Sequence, residues 1–198
     1  FTTLLVLGLV FLYRFDIRLT KSTIIAGIIF FGMAGFIFLQ TLFGADATKL
    51  SGIGIFGDPS IVHAKIEIPR NEHNNPNSLF ARLTHNRVIF AYETFRQNYL
   101  NSYSSQFLFI KGGDNKAHNI SNFGNMYLAE APFLFLGLIY LIFLKGGRGK
   151  YLILWWFFIS PIAASITKDA PHTNRMFAIF PILPFVTASG LYWLIAIL

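Results

Sequence analysis

A short polar segment between two apolar runs holds the residues best suited to chemistry. The segment is Lys168-Asp169-Ala170-Pro171-His172-Thr173-Asn174-Arg175. A turn between two helices does not need two cations, a carboxylate and an imidazole within eight residues. Arginine binds phosphate through a planar fork and lysine binds it as a point charge, while histidine can donate a hydrogen bond or carry a proton. Lys168, His172 and Arg175 are therefore candidates for binding a phosphate carried by a lipid.

The same three residues also have a purely structural interpretation. Lysine and arginine at the edge of a membrane extend their charged ends toward lipid headgroups, and a histidine can cap a turn. The residue types alone leave both interpretations open.

Other motifs for catalysis or metal binding are missing from the sequence. Four histidines, at 63, 73, 85 and 118, lie in one long polar region, and their spacing does not predict a zinc site. The sequence has no cysteine, so it has no disulfide and no thiolate nucleophile. It also has no Walker loop, nucleophile elbow or dinucleotide fingerprint. The residues therefore predict neither a metal site nor a cofactor.

The composition predicts a membrane protein. Hydrophobic residues make up 54% of the 198 residues and charged residues only 13%, against about 25% charged in an average soluble domain. A soluble domain could not bury this much apolar surface, whereas lipid solvates it. The net charge of +7 is divided among short loops and one long loop, which favours lipid headgroups or a phosphorylated lipid as partners over nucleic acid.

The apolar runs predict an all-α, polytopic membrane bundle of about five spans in a single module. The expected spans are residues 1–13, 23–43, 127–144, 151–167 and 176–198. We expect the first span to be truncated, because the chain opens within an apolar run. Pro161, Pro181 and Pro184 predict kinks in the last two spans.

The basic residues of the short loops predict the orientation. Two loops that would lie on the same side carry Arg14, Arg18, Lys21, Lys145, Arg148 and Lys150. The positive-inside rule makes that side cytoplasmic. Residues 44–126 then form a large extracytoplasmic loop, and the segment with His172 lies on the same side of a plasma membrane, expected to be a bacterial inner membrane.

Within the long loop, the pattern over Ser78–Leu100 predicts an amphipathic helix, with Asn77 or Ser78 as its N-cap. A basic amphipathic helix between two spans is typical of the membrane surface, and packing against the rest of the loop is the alternative. The β-branched residues of Ile61–Ile68 predict an extended segment.

Two stretches carry a resemblance to a known family. The first is Pro171-His172-Thr173-Asn174-Arg175-Met176 with Phe180-Pro181, and the second comprises Asn98-Tyr99-Leu100, Phe107-Leu108-Phe109, Lys111-Gly112-Gly113-Asp114, His118, Gly124, Glu130-Ala131-Pro132 and Gly137. In their order and spacing they resemble bacterial glycosyltransferases of the GT-C superfamily, of the protein-mannosyltransferase and aminoarabinose-transferase types. The resemblance covers about half of the chain.

The resemblance implies an inverting transferase that takes a sugar from a polyprenyl-phosphate donor and passes it to a protein or lipid on the extracytoplasmic face. It adds Lys111, Asp114, His118 and Glu130 as contributors from the long loop. The family's catalytic acidic residue lies in an earlier loop, which we expect upstream of this chain, so no catalytic residue is assigned. Neither Asp46 nor Asp58 occupies the matching place. A divalent metal is compatible with the family.

Two other classes of membrane protein remain as alternatives. The first is a transporter or a subunit of a membrane complex, for which ionisable residues within the spans would be expected. Four of the five predicted spans have none. The second is a polymerase or ligase of polyprenyl-linked glycans, which also uses basic extracytoplasmic loops.

Overall fold

The computed structural model describes residues 2–13, 20–43, 52–73, 75, 77–113, 115, 119–120, 123–143 and 147–198. Every regular element within these ranges is helical, so the predicted all-α class is confirmed. One isolated antiparallel bridge joins Gly54 to Thr167.

Within the described ranges the helices follow one another along the chain, with two π-helical and two 3₁₀ segments between them. The α-helices are α1 (Thr2–Tyr13), α2 (Lys21–Phe43), α3 (Pro59–Val62), α4 (Ile68–Asn71), α5 (Leu79–Thr84), α6 (Arg87–Asn101), α7 (Ala131–Phe143), α8 (Gly149–Ile159), α9 (Ile162–Ser165) and α10 (Ile182–Ile197). The π-helical segments are His63–Glu67 and Gln106–Ile110, and the 3₁₀ segments are Leu128–Glu130 and Thr173–Ile179.

To cross a bilayer, a helix must be both long enough and apolar enough. In the part of the chain that the structure describes, no single helix satisfies both requirements. The 3₁₀ segment Thr173–Ile179 and α10 satisfy them as a pair, bent by 51° at the break between them.

The tightest packing in the fold joins α7 to α10. A Cβ atom at Gly137 would overlap the carbonyl oxygen of Val186, and one at Gly190 would overlap that of Phe133. The two backbones can touch only because both positions are glycine. The rings of Tyr140 and Trp193 lie 6.2 Å apart, farther along the same two helices. Contacts therefore advance in the same direction along both helices, which makes α7 and α10 parallel.

The predicted proline kinks are present at two positions. Pro161 ends the run of α8 before α9 begins, and Pro181 lies at the 51° bend before α10. Proline lacks an N–H, so Pro161 leaves the carbonyl of Phe157 without its helical donor. The phenol of Tyr103 donates to that carbonyl at 2.9 Å. Pro184 falls within the first turn of α10, where proline is tolerated and no kink follows.

Two more aromatic side chains donate hydrogen bonds to backbone carbonyls next to the breaks at Pro161 and Pro181. Tyr99 donates to the carbonyl of Phe158 at 2.9 Å, and the indole of Trp156 donates to that of Ala178 at 2.8 Å. Each break in the last helices is thus compensated by a donor from another element.

The extended structure predicted for Ile61–Ile68 is wrong, because the segment is helical throughout. The side chain of Asp58 accepts the N–H of Ser60, and Pro59 occupies the first helical position, so a helix starts here despite the β-branched residues. A π-helical turn, His63–Glu67, then carries the chain into α4.

The helix predicted over Ser78–Leu100 exists, but as two helices rather than one. Ser78 is its N-cap, as predicted, and accepts the N–H of Ala81 at 3.1 Å. The chain leaves the helical path at His85, and the side chain of Asn86 accepts two N–H groups of the second helix, α6. Asparagine competes in this way with a continuing helix, which sets the break.

Candidate functional site

The candidate phosphate-binding residues lie where α9 gives way to the 3₁₀ segment Thr173–Ile179. His172 directly precedes this segment, and its carbonyl accepts the N–H groups of Arg175 and Met176, both at 3.0 Å. The His172 side chain is buried, with 7% of its surface exposed. One 3₁₀ turn therefore carries both His172 and Arg175 and holds them close together in the fold.

The guanidinium of Arg175 is only partly engaged. Its Nη2 atom lies 3.6 Å from a carboxylate oxygen of Asp169, an ion pair that is longer than a hydrogen bond. Its Nη1 atom is buried and has no hydrogen-bond partner among the described residues. Because a buried charged donor without an acceptor is costly, this atom marks a place where an acceptor oxygen from a ligand would be stabilising.

Residues of the long loop, Gly113, Asn115 and Asn119, pack near the turn that carries His172. Thr173 donates to the amide oxygen of Asn119 at 2.5 Å, and the amide nitrogen of Asn119 donates to the carbonyl of Gly113. The side chain of Asn115 lies 3.4 Å from Nε2 of His172. The structure thus brings Gly113, Asn115 and Asn119 to the loop that carries His172.

Two glycines allow this close approach. Gly112 has a φ of +71°, in the left-handed region that glycine adopts without strain. A Cβ atom at Gly113 would lie 2.9 Å from the amide nitrogen of Asn119 and 3.2 Å from the carbonyl oxygen of Pro171. A side chain at Gly113 would push the two loops apart, whereas one at Gly112 would strain the backbone and crowd Phe123 and Asn119.

Lys111 lies across a polar cleft from Pro171, in the loop that carries His172. The cleft has a volume of about 290 Å³ and is lined by Asn101, Ser104, Gln106, Phe107, Lys111, Gly112 and Pro171. Asn101, Gln106 and Lys111 are exposed there. The cleft offers amide and ammonium groups next to Pro171, the residue that precedes His172.

Lys168 is held by a different part of the long loop. Its backbone N–H donates to the carbonyl of Ile53 at 3.0 Å, and its side chain is exposed. Hydrogen bonds from Ser60 hold the pKa of Asp58 below its ordinary value, and the nearby charge of Lys168 adds to this effect. The structure therefore groups His172 with Arg175 and places Lys168 toward Asp58.

Asn98 anchors the chain just before Lys168. It is buried, and its amide nitrogen donates to the carbonyls of Ser165 and Thr167 at 3.0 and 2.9 Å. The end of α9 is thereby fixed to α6, which determines where the short loop begins.

Glu130 is the last residue of the 3₁₀ segment before α7 and lies on the wall of a separate cavity of about 360 Å³. The cavity is lined by Phe123, Gly124, Asn125, Met126, Tyr127, Glu130, Phe180, Leu183 and Pro184. The carboxylate of Glu130 accepts the N–H of Tyr127 at 2.9 Å. The remaining predicted contributors, Asp114 and His118, lie outside the described residues. Among the described residues, no three histidine, aspartate or glutamate side chains are grouped to hold a metal ion.

The amide side chains of the site were missed by reasoning from residue types, which concentrated on charged groups and histidine. Asn119, Asn115 and Asn98 join segments more than fifty residues apart, and nothing in their local sequence indicates those partners.

Comparisons with models of protein families, with curated proteins and with solved structures found no match to this chain.

Proposed function

We propose that the chain is part of an integral-membrane glycosyltransferase, and that Arg175 and His172 bind the phosphate of a polyprenyl-phosphate sugar donor. The observation that carries the proposal is the buried Nη1 atom of Arg175, which lacks an acceptor among the described residues and lies on the same turn as the buried His172. A phosphate oxygen would supply that acceptor, and the planar fork of arginine suits it.

The charge change in the reaction explains why this position would assist catalysis. The acceptor's hydroxyl oxygen bonds to the anomeric carbon of the sugar as the bond from that carbon to the phosphate oxygen breaks. The electron pair leaves with the lipid phosphate, which changes from a monoanion to a dianion, and the proton of the hydroxyl passes to a base. Arg175 would stabilise the charge as it develops on the phosphate, which lowers the barrier more than it strengthens donor binding. The base is not assigned to a described residue.

The polar cleft beside Pro171 suits the sugar of the donor. Asn101, Gln106 and Lys111 present donors and acceptors at its walls, and sugar hydroxyl groups require both. A donor whose phosphate meets Arg175 would carry its sugar next to this loop. The cleft therefore supports a sugar phosphate as the ligand over a phosphate alone.

The membrane location rests on the exposure of α2. Among the described side chains of this 23-residue helix, nine large apolar ones are at least 43% exposed, and they are Ile24, Ile25, Ile28, Ile29, Phe31, Met33, Phe36, Ile37 and Leu39. In water such a helix would be strongly unfavourable, whereas hydrocarbon solvates it. We place α1, α2, α7, α8 with α9, and the bent pair ending in α10 across the bilayer, with the loop 44–126 on the extracytoplasmic side. The parallel course of α7 and α10 agrees with this order, because one crossing separates them.

The test is sugar transfer from a polyprenyl-phosphate donor in membranes that contain the protein or its variants at matched amounts. Arg175→Ala should lower transfer about 10- to 150-fold, the loss expected for one charge-assisted contact. Arg175→Lys should restore only part of it. His172→Ala should also lower transfer and change its pH profile. Wild-type rates in both alanine variants would remove this loop from the active site.

A further inference from the structure

We propose that the elbow between α5 and α6 inserts into the headgroup region of an anionic lipid surface. The elbow comprises Leu79, Phe80, Leu83, Val88 and Tyr92, with Arg82 and Arg87 beside them. The proposal rests on the membrane location given above, but not on glycosyl transfer.

The apolar side chains of the elbow are among the most exposed in the chain. Leu79 is 80% exposed, Val88 77%, Phe80 67%, Leu83 66% and Tyr92 65%. On α5 the opposite face is occupied by Ala81, which is fully buried. The exposed face is therefore the side that points away from the protein, and water is a poor solvent for it.

The apolar side chains along one face of α6 form two groups with different surroundings, one at each end of the helix. At its C-terminal end, Phe95 stacks on Tyr99, whose hydroxyl bonds the carbonyl of Phe158 at the end of α8. At its N-terminal end, Val88 and Tyr92 extend beyond this contact and stay exposed. Contacts within the protein thus cover only the C-terminal half of the apolar face of α6. The apolar side chains at the elbow have no such cover among the described residues.

The charges around the elbow favour anionic lipid over a protein groove. Arg82 follows Phe80 by two residues on α5, and Arg87 directly precedes Val88 on α6, so each helix presents one guanidinium beside its exposed apolar side chains. Both arginines are exposed. Apolar residues flanked by arginine suit a surface whose interior is hydrocarbon and whose headgroups carry phosphate.

The elbow is presented by a fixed backbone. Arg70 of α4 donates two hydrogen bonds, at 3.1 and 2.5 Å, to the carbonyl of His85 at the break between the helices. The imidazoles of His85 and His73 are 3.1 Å apart at Nε2, which ties the same turn to the segment after α4. These contacts hold both helices in one orientation, so that their exposed side chains can enter a surface together.

Spin labels measure this insertion directly, since the chain has no cysteine to compete with introduced ones. Single nitroxide labels would be placed at Leu83→Cys and Val88→Cys, with Ile28→Cys on α2 and Gln97→Cys on the polar side of α6 as controls. The protein would be reconstituted in vesicles of phosphatidylcholine with phosphatidylglycerol. Oxygen concentrates in hydrocarbon, whereas a water-soluble nickel chelate stays outside.

We expect labels at positions 83 and 88 to collide more with oxygen than with nickel, as at position 28, and the label at 97 to show the reverse. Arg82→Gln with Arg87→Gln should make the two elbow labels shallower in these vesicles but not in pure phosphatidylcholine. If positions 83 and 88 meet nickel while 28 meets oxygen, the elbow proposal is overturned and the membrane location stands. If both reagents are excluded from 83 and 88, the elbow is covered by protein and the proposal fails too. Nickel access at position 28 would overturn the membrane location itself.

Discussion

The hydroxyl of Thr173 donates a hydrogen bond of 2.5 Å to the amide oxygen of Asn119. Asn119 also donates to the carbonyl of Gly113, so this bond joins the loop that carries His172 and Arg175 to the segment with Gly112 and Gly113. The site is thus an assembly of two loops, and its geometry depends on the contact between them.

Thr173→Val should loosen this assembly, because valine keeps the shape of threonine but cannot donate. Loss of one hydrogen bond predicts a decrease in the free energy of unfolding of about 0.5–1.5 kcal/mol. Thr173→Ser retains the hydroxyl and is the matched control. Thermal unfolding of the reconstituted protein measures the difference, and equal midpoints for the valine and serine variants would show that the bond contributes nothing.

Tyr103→Phe should destabilise the break at Pro161. The variant leaves the carbonyl of Phe157, a buried residue, without a donor, which costs about 1–3 kcal/mol. Phe95→Leu on α6 removes no hydrogen bond and serves as the control. The difference is measured by denaturant unfolding in mixed micelles.

Tyr103 also predicts how stability depends on alkaline pH. Burial raises the pKa of Tyr103 above its ordinary value of 10.0, and the hydrogen bond with Tyr99 acts in the same direction. A group whose pKa is raised on folding contributes stability that is complete below its unfolded pKa and is lost as pH rises toward the folded one. Stability of the wild type should therefore decline above about pH 10, and Tyr103→Phe should show a shallower decline. Parallel curves would contradict this.

Gly190→Ala and Gly137→Ala should each separate α7 from α10. The added methyl group would overlap a backbone carbonyl oxygen that cannot move independently of its helix. Overpacking of this kind costs about 1–3 kcal/mol or more. Gly27→Ala on α2, where nothing lies within 4 Å, is the control and should be neutral or slightly stabilising. Unfolding midpoints unchanged in both core variants would refute the close packing.

Much of the helical architecture is predictable from local pattern. The long apolar runs predict helices, the prolines at 161 and 181 predict where helices are interrupted, and Ser78 predicts where an amphipathic helix begins. Each of these signals is read from neighbouring residues in the sequence. Local preference also misleads, since Ile61–Ile68 is rich in β-branched residues and yet helical. There, the N-cap Asp58 and Pro59 at the first helical position start a helix, and this local signal outweighs the β-propensity of the residues that follow.

The sequence marks the candidate site by its charged residues, but it does not indicate how the two loops assemble or that Lys168 lies apart from His172 and Arg175. Two cations and a histidine in a short loop identify the segment, because that density is unusual between apolar runs. The contact of Thr173 with Asn119 spans 54 residues, and that of Asn98 with Thr167 spans 69. Such contacts depend on how helices far apart in the sequence pack together. The spacing of residues within one segment does not predict that packing.

Sidedness can be measured with single cysteines at Asn174 and Gly147, both exposed positions. An impermeant maleimide added from the extracytoplasmic side should label Asn174→Cys and leave Gly147→Cys unlabelled until the membrane is permeabilised. This follows from the basic residues near position 147, which favour the cytoplasm. Labelling of both positions in intact cells would overturn the orientation and the proposed face of the active site.

The affinity of the reconstituted chain for polyprenyl phosphate measures whether Arg175 binds a lipid phosphate. It can be measured by titrating the lipid into nanodiscs that hold wild type, Arg175→Ala, Arg175→Lys or Arg96→Ala, the last being an exposed arginine of α6. We expect the Kd to rise about 10- to 150-fold in Arg175→Ala and less in Arg175→Lys, and to stay at the wild-type value in Arg96→Ala. Equal affinities in wild type and Arg175→Ala would contradict it.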